Sequence, residues 1–245
     1  MDTYKAEGII LQTNDFGDAN RVITIFTKEF GKIDANAYGC RRTKNPMSGA
    51  MQMFNHVAVE LSKGNKVDTI RDADVINFYG NLTTDLERLA YASLLFEIVN
   101  RMTLPRQQEI PVFDLLKNFL PVLNERNPRI AALIGICQFM KLSGIQLNFT
   151  ECVHCGKKIS GDAFISLIDG GAICPDCLQI STEATNYPEF LRTTFEIMLA
   201  FDGQAKLFFK PRQISAAERF FLNYVQSVLG KELNSVKFIR QIQNF

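Results

Sequence analysis

The sequence predicts a multi-domain chain of mixed α and β class: a small N-terminal β-barrel over residues 1–80, then an α-helical domain over residues 81–245 with a cysteine-rich module inserted at about 147–178. Three observations predict it. Apolar residues alternate at a period of two before residue 80 and at a helical period after it, and two Cys-x-x-Cys pairs interrupt the helical pattern.

The elements follow in order. Gly8-Ile9-Ile10-Leu11 opens a strand, and Asn14 to Asp18 reads as a turn cluster. Val22 to Phe26 is β-branched and aromatic, as a strand prefers. Ile33, Ala35 and Ala37 alternate with polar neighbours, as do Val57, Val59 and Leu61, and Val67 to Val75 follows a polar turn. Five short strands in so few residues suit a closed barrel, because closure removes exposed edges. Arg41 to Gln52 reads as a loop or short helix. Beyond Asn81, Thr84 to Glu87 matches a capping box, with Leu86, Leu89, Ala90, Leu94 and Ile98 on the inward side. Pro111 and Pro128 start two more helices, the second running through Leu133 and Cys137 to a stop at Gly144. Helices resume near Pro188. Ser215 to Glu218 reads as another capping box ahead of Phe221, Tyr224, Val225 and Val228, and Gly230 is a natural stop.

Composition bounds the function. Apolar residues are 47% and charged residues 22% of the 245, as in an ordinary globular protein, and the net charge is +1. Binding a polyanion must therefore rest on local clusters rather than a global field. The N-terminal residues lack the pattern of a signal peptide, no lipidation signal stands at either end, and the apolar run Ala131 to Cys137 is too short to span a bilayer. A cytosolic location is expected.

The sharpest chemical signal is Cys152-Val153-His154-Cys155 with Cys174-Pro175-Asp176-Cys177. This spacing suits one structural Zn²⁺ held by four thiolates, with no open position for water or substrate. His154 reads as a spacer, and Lys157 and Lys158 as neighbours that offset thiolate charge or are simply solvated. A thioredoxin-like redox pair is the competing reading, but no βαβ pattern surrounds either pair. Cys137 falls on a helical core stripe, and Cys40 reads as a bland small residue, a reactive thiol being the alternative.

A second signal is basic and aromatic. Arg21, Lys28, Lys32, Arg41, Arg42 and Lys44 are interleaved with Phe16, Phe26, Phe30, Tyr38 and Phe54. Cations for phosphates and rings for bases are how a barrel face holds a single strand. Tyr38 is the stacking candidate and Arg41 to Lys44 the leading cationic loop, with a solvated loop as its plain alternative. The two histidines, His56 and His154, belong to no nucleophilic set, and no phosphate loop or nucleophile elbow occurs, so no enzyme is expected.

Glu7 to Leu11, Arg21 to Thr27, Gly31-Lys32, Gly39 to Arg42, Glu60-Leu61 with Gly64, and Arg71 together resemble the N-terminal signature of the RecO family of bacterial recombination mediators. The two cysteine pairs with Gly170-Gly171 resemble its zinc-binding members, in the same order along the chain. The resemblance implies an OB-fold, binding of single- and double-stranded DNA, and annealing of complementary strands. It also implies contact with the C-terminal tail of single-stranded DNA-binding protein and work with RecR to load RecA, in the bacterial cytoplasm at the nucleoid. It assigns DNA contact to Arg21, Lys32, Arg41 and Arg42, and zinc to Cys152, Cys155, Cys174 and Cys177. An RNA- or ribosome-associated barrel protein is the alternative reading. No membrane and no small-molecule substrate are expected.

Overall fold

The computed structural model describes residues 2–181 and 183–243. Two compact units divide the chain among them: residues 2–132 with 232–243, and residues 133–231.

The first unit is built on five strands, β1 (Thr3–Phe16), β2 (Asn20–Thr27), β3 (Gly31–Ala37), β4 (His56–Ser62) and β5 (Asp68–Asn77), closed in the order β1-β2-β3-β5-β4. This is the OB-like barrel the sequence predicts. The period-two residues Ile23, Ile25, Ile33, Ala35, Val57, Val59 and Leu61 fill its interior. β1 is longer than its sequence suggests. It starts at Thr3, because residues 3–9 pair with β4, and it runs on through Asn14 to Phe16, because these pair with β2. The turn is confined to residues 17–19. Gly8 sits where both partners press on β1: a Cβ there would meet Ile25 Cγ2 at 2.4 Å. Phe54 is not an outward ring. It is buried in the left-handed region (φ 72°), edge-on to Phe96 at 5.0 Å.

Closure depends on a short seam. β3 and β5 run parallel and share only the pairs Ala35↔Asp68 and Asn36↔Thr69. The buried Asp68 carboxylate reinforces it, accepting from Tyr4 Oη, from Gly64 N at 3.0 Å and from Arg106 Nη2 at 2.7 Å. Burial and this carboxylate push the Tyr4 phenol up to about 12. The connection carrying Arg106 also presses on Gly31, where a Cβ would meet Gln107 O at 1.8 Å, so only glycine fits.

The barrel packs on α2 (Leu86–Met102) and α3 (Ile110–Glu125), preceded by one turn, α1 (Asn81–Thr84), that the sequence pattern does not announce. The cap of α2 is Asp85, accepting from Arg88 N at 2.8 Å, rather than Thr84. Leu86 is consequently the first helical residue and points out, 63% exposed, against expectation. Pro111 lies in the first turn of α3, and Pro128 begins α4 (Pro128–Leu142), as expected.

In the second unit, β6 (Ala163–Ser166), β7 (Gly171–Ile173) and β8 (Thr185–Tyr187) form a sheet in the order β7-β6-β8. Its third strand lies beyond residue 178. Next come α5 (Glu189–Leu199) and α6 (Pro211–Leu229), whose buried Phe195 and Phe221 stand 4.9 Å apart. Helix α6 starts a turn earlier than Ser215: Lys210 N donates to Gln213 Oε1 at 2.9 Å, one half of a capping box, and Ser215 is already inside the helix. Phe221, Tyr224 and Val225 of α6 are buried, and Val228 is exposed. Gly230 ends α6 in the left-handed region, as its position predicts. In the first unit, α7 (Asn234–Gln243) packs on α2. The Glu97 carboxylate receives the N–H groups of Asn234 and Ser235 at its start. Among the described residues, no helix is long and apolar enough to cross a membrane.

Candidate metal centre and nucleic-acid interface

The four paired cysteines meet in the second unit. The sulfurs of Cys152, Cys155, Cys174 and Cys177 all lie within 4.8 Å of one another, and Cys155 and Cys174 are 3.8 Å apart. Sulfurs at the corners of a regular tetrahedron, each about 2.3 Å from its centre, would be about 3.8 Å apart, so the donor set fits a tetrahedral thiolate shell. Local backbone chemistry makes the two knuckles. Gly156 takes φ 73° and its N–H donates to Cys152 O at 2.8 Å, while Cys177 N donates to Cys174 O at 3.0 Å. Val153 N donates to Ala172 O at 2.9 Å, tying the first knuckle to β7.

The ionisation of the set favours a cation. Burial pushes the Cys152 thiol up, but the backbone N–H groups of Cys174, Cys155 and His154 outweigh it and bring the thiol down to about 6. Donating its own proton to the Cys174 and Cys155 sulfurs pushes the Cys177 thiol up to about 12. Four thiolates cannot all ionise side by side unless a dication compensates them, and metal binding displaces the remaining protons. His154 Nε2 is 3.4 Å from Asp169 Oδ2, and Lys157 pairs with Asp176 at 3.1 Å.

The basic candidates fall into two groups. At the barrel end formed by the β1–β2 hairpin and the turn after β3, the fold gathers Arg21, Tyr38, Arg41, Arg42 and Lys44. Arg41 N donates to Ala19 O at 3.0 Å and Gly39 N to Asn20 Oδ1 at 2.8 Å, so the loop is fastened to the hairpin. Tyr38 is 55% exposed and edge-on to Phe16 at 6.0 Å, making a two-ring surface. Arg42 and Lys44 are exposed, with no carboxylate within ion-pair distance among the described residues. Lys28 and Lys32 lie at the other end of the β2–β3 ladder. That ladder runs from Arg21↔Ala37 to Thr27↔Gly31, about 20 Å at the rise of a strand. Lys32 is already committed: its ammonium donates to Asn100 O and to Thr103 O at 2.7 Å, and burial lowers its pKa.

Sequence reasoning missed Asp15. Its carboxylate accepts from Arg21 Nε at 2.8 Å and faces Arg41 Nε at 3.2 Å; Arg21 also reaches Met51 O at 3.0 Å. The Arg21 hydrogen bond, then the two guanidinium charges, hold Asp15 below the usual carboxylate range. Only the hairpin register, which pairs Asp15 with Arg21, could have signalled this. Cys40 is buried in the barrel core, and burial raises its thiol pKa, which fits the inert reading. Sequence reasoning also left unplaced a groove of about 710 Å³ in the second unit. Phe190, Pro188, Ile165 and Phe220 line its apolar part, and Arg212 and Arg219 supply its cations. Arg212 stacks 4.6 Å from the Phe190 ring centre, and neither arginine has a carboxylate within ion-pair distance among the described residues.

A closed five-stranded barrel with a cationic, ring-bearing end, in one chain with a four-cysteine module set among helices, defines an OB-type protein with an accessory module whose sulfurs could hold a metal. Residues 1–79 match the family description "Recombination protein O N terminal" and residues 83–237 match "Recombination protein O C terminal". The chain belongs to the RecO family. Its relatives include the DNA repair protein RecO of Halalkalibacterium halodurans, 25% identical over 244 residues, covering 98% of this chain and 96% of the relative. The protein of the same name from Alkaliphilus metalliredigens is 32% identical over 180 residues, covering 73% of each chain. That of Symbiobacterium thermophilum is 30% identical over 182 residues, covering 72% of each.

Proposed function

We propose that this chain is a non-catalytic DNA repair and recombination mediator. It binds single- and double-stranded DNA, anneals complementary strands coated with single-stranded DNA-binding protein, and works with RecR to load RecA in the bacterial cytoplasm, at the nucleoid. The observation that carries the reading is the barrel end where the loop bearing the exposed Arg41, Arg42 and Lys44 follows directly on the Phe16–Tyr38 ring pair, in a chain whose net charge is only +1. Cations there take phosphates, and an exposed ring takes a base face without reading its sequence. The Asp15 carboxylate holds Arg41 at 3.2 Å and competes with phosphate for it.

The groove of the second unit supports the tail contact. An acidic peptide with an apolar end would set its carboxylates against Arg212 and Arg219 and its apolar side chain against Phe190 and Phe220. Cys152, Cys155, Cys174 and Cys177 would hold one Zn²⁺, which supplies structure by crosslinking the two knuckles. The test is an annealing assay on complementary oligonucleotides precoated with single-stranded DNA-binding protein. Faster annealing with the chain than without it is the expected result. No acceleration, together with no binding of naked DNA in low salt, overturns the reading.

A further inference from the structure

We infer that the second unit carries its own contact for a single nucleic-acid strand, a cation–ring–cation stripe made by Lys206, Phe208 and Lys210. The inference rests on the family's reading as a nucleic-acid binder but places a site outside the barrel. Phe208 is 88% exposed, the most exposed large apolar side chain among the described residues. Its neighbours explain why it stays out. Along Lys206–Lys210 exposure alternates: Leu207 and Phe209 are partly buried, while Lys206, Phe208 and Lys210 are exposed. An extended segment alternates its side chains in this way, so the three outward residues share one side, each about 7 Å from the next.

The charge around the ring is one-sided. From Gly203 to Arg212 the chain has Lys206, Lys210 and Arg212 and no carboxylate, and no ion pair is made by Lys206 or Lys210 among the described residues. An exposed phenyl ring costs solvation and contributes nothing to packing here, whereas a ring between two unneutralised cations is what an unpaired base and its flanking phosphates need. A duplex keeps its bases stacked inside and offers this ring nothing, so the site discriminates in favour of single strands. The same stripe borders Arg212, the first cation of the groove lined by Phe190 and Phe220.

The chain has no tryptophan, so F208W places a unique fluorophore at the site. Titrating the full-length variant with oligo(dT) is expected to quench its emission saturably, with much weaker quenching by blunt duplex of equal length. F208A should weaken oligo(dT) binding about tenfold. F208L, which keeps the apolar surface but not the ring, should weaken it nearly as much. K206A with K210A should lower the salt slope by 1–2. Circular dichroism checks that each variant is folded, as substitutions at exposed positions should leave it. Three outcomes overturn the proposal: F208A binding as tightly as the parent, F208L restoring affinity, or anionic vesicles quenching F208W where oligo(dT) does not. A parent chain that ignores oligo(dT) altogether would remove the mediator reading as well, whereas a binding parent with silent Phe208 variants removes this inference alone.

Discussion

Replacing Arg42 and Lys44 together by alanine tests the barrel interface most directly, because both cations are exposed and neither is neutralised within the fold. Each phosphate contact on a single strand contributes about 0.7 to the slope of log K against log salt, so losing two lowers the slope by about 1.4. Over a fourfold rise in salt, from about 50 to 200 mM, the variant should then lose about sevenfold less affinity than the parent does. Arg41 is a weaker contributor, since Asp15 already neutralises part of its charge at 3.2 Å. Asp15→Asn should therefore tighten binding and raise the slope by up to about 0.7, by freeing a guanidinium for phosphate. Lys28→Ala is the internal control, because Lys28 lies at the far end of the β2–β3 ladder. Fluorescence anisotropy of a labelled oligonucleotide at four or five salt concentrations measures all three. A slope unchanged in the double variant, or lowered equally by Lys28→Ala, would refute the assignment of the site to this end of the barrel.

Asp68→Ala leaves the Tyr4 hydroxyl, the Gly64 N–H and Arg106 without their shared acceptor at the β3–β5 seam, and should cost about 3 kcal/mol, at the low end for a broken buried pair because Arg106 is half exposed. At this chain size, that is a fall in Tm of about 6–12 °C by calorimetry, and a loss under 1 kcal/mol would refute the seam's role. The same carboxyl carries a pH signature: burial raises its pKa, but Tyr4, Gly64 and Arg106 outweigh burial and hold it below 3.8. With the folded value below the unfolded one, its stabilisation is present above the unfolded pKa and is lost as pH falls through the folded one, so parent and Asp68→Asn stabilities should converge in acid. Metal analysis should find one zinc per chain, and chelation should strip amide exchange protection from β6, β7 and the knuckles while the barrel strands keep theirs; loss of protection in the barrel alone would contradict this. Arg212→Glu with Arg219→Glu should weaken binding of the C-terminal peptide of single-stranded DNA-binding protein by more than tenfold in calorimetric titration, and unchanged affinity would move the tail site elsewhere.

The amino-acid sequence by itself determined the elements whose signals are local. Period-two alternation placed the barrel strands, proline and glycine set the ends of α3, α4 and α6, and two Cys-x-x-Cys turns declared a four-sulfur set before any of the chain was folded. Where local chemistry offered two answers, the sequence alone chose wrongly. Asp85 outcompetes Thr84 as the cap of α2 and throws Leu86 outward, and Lys210 with Gln213 starts α6 a turn ahead of Ser215. Only the tertiary structure decided which cations belong together. Charge carries no periodicity: the chain marks Arg41 to Lys44 as the leading loop but does not say which of Arg21, Lys28 and Lys32 joins it. The ladder register then sends Lys28 and Lys32 to one end of the barrel and the remaining four to the other. Register also sets Asp15 opposite Arg21, and pairing of β3 with the segment after α2 brings the Asn100 and Thr103 carbonyls to Lys32. The Lys32 contacts join residues 68 and 71 apart in sequence, and even the Asp15–Arg21 pair, six apart, depends on the register; their energies depend on distance in space, which a linear pattern does not encode.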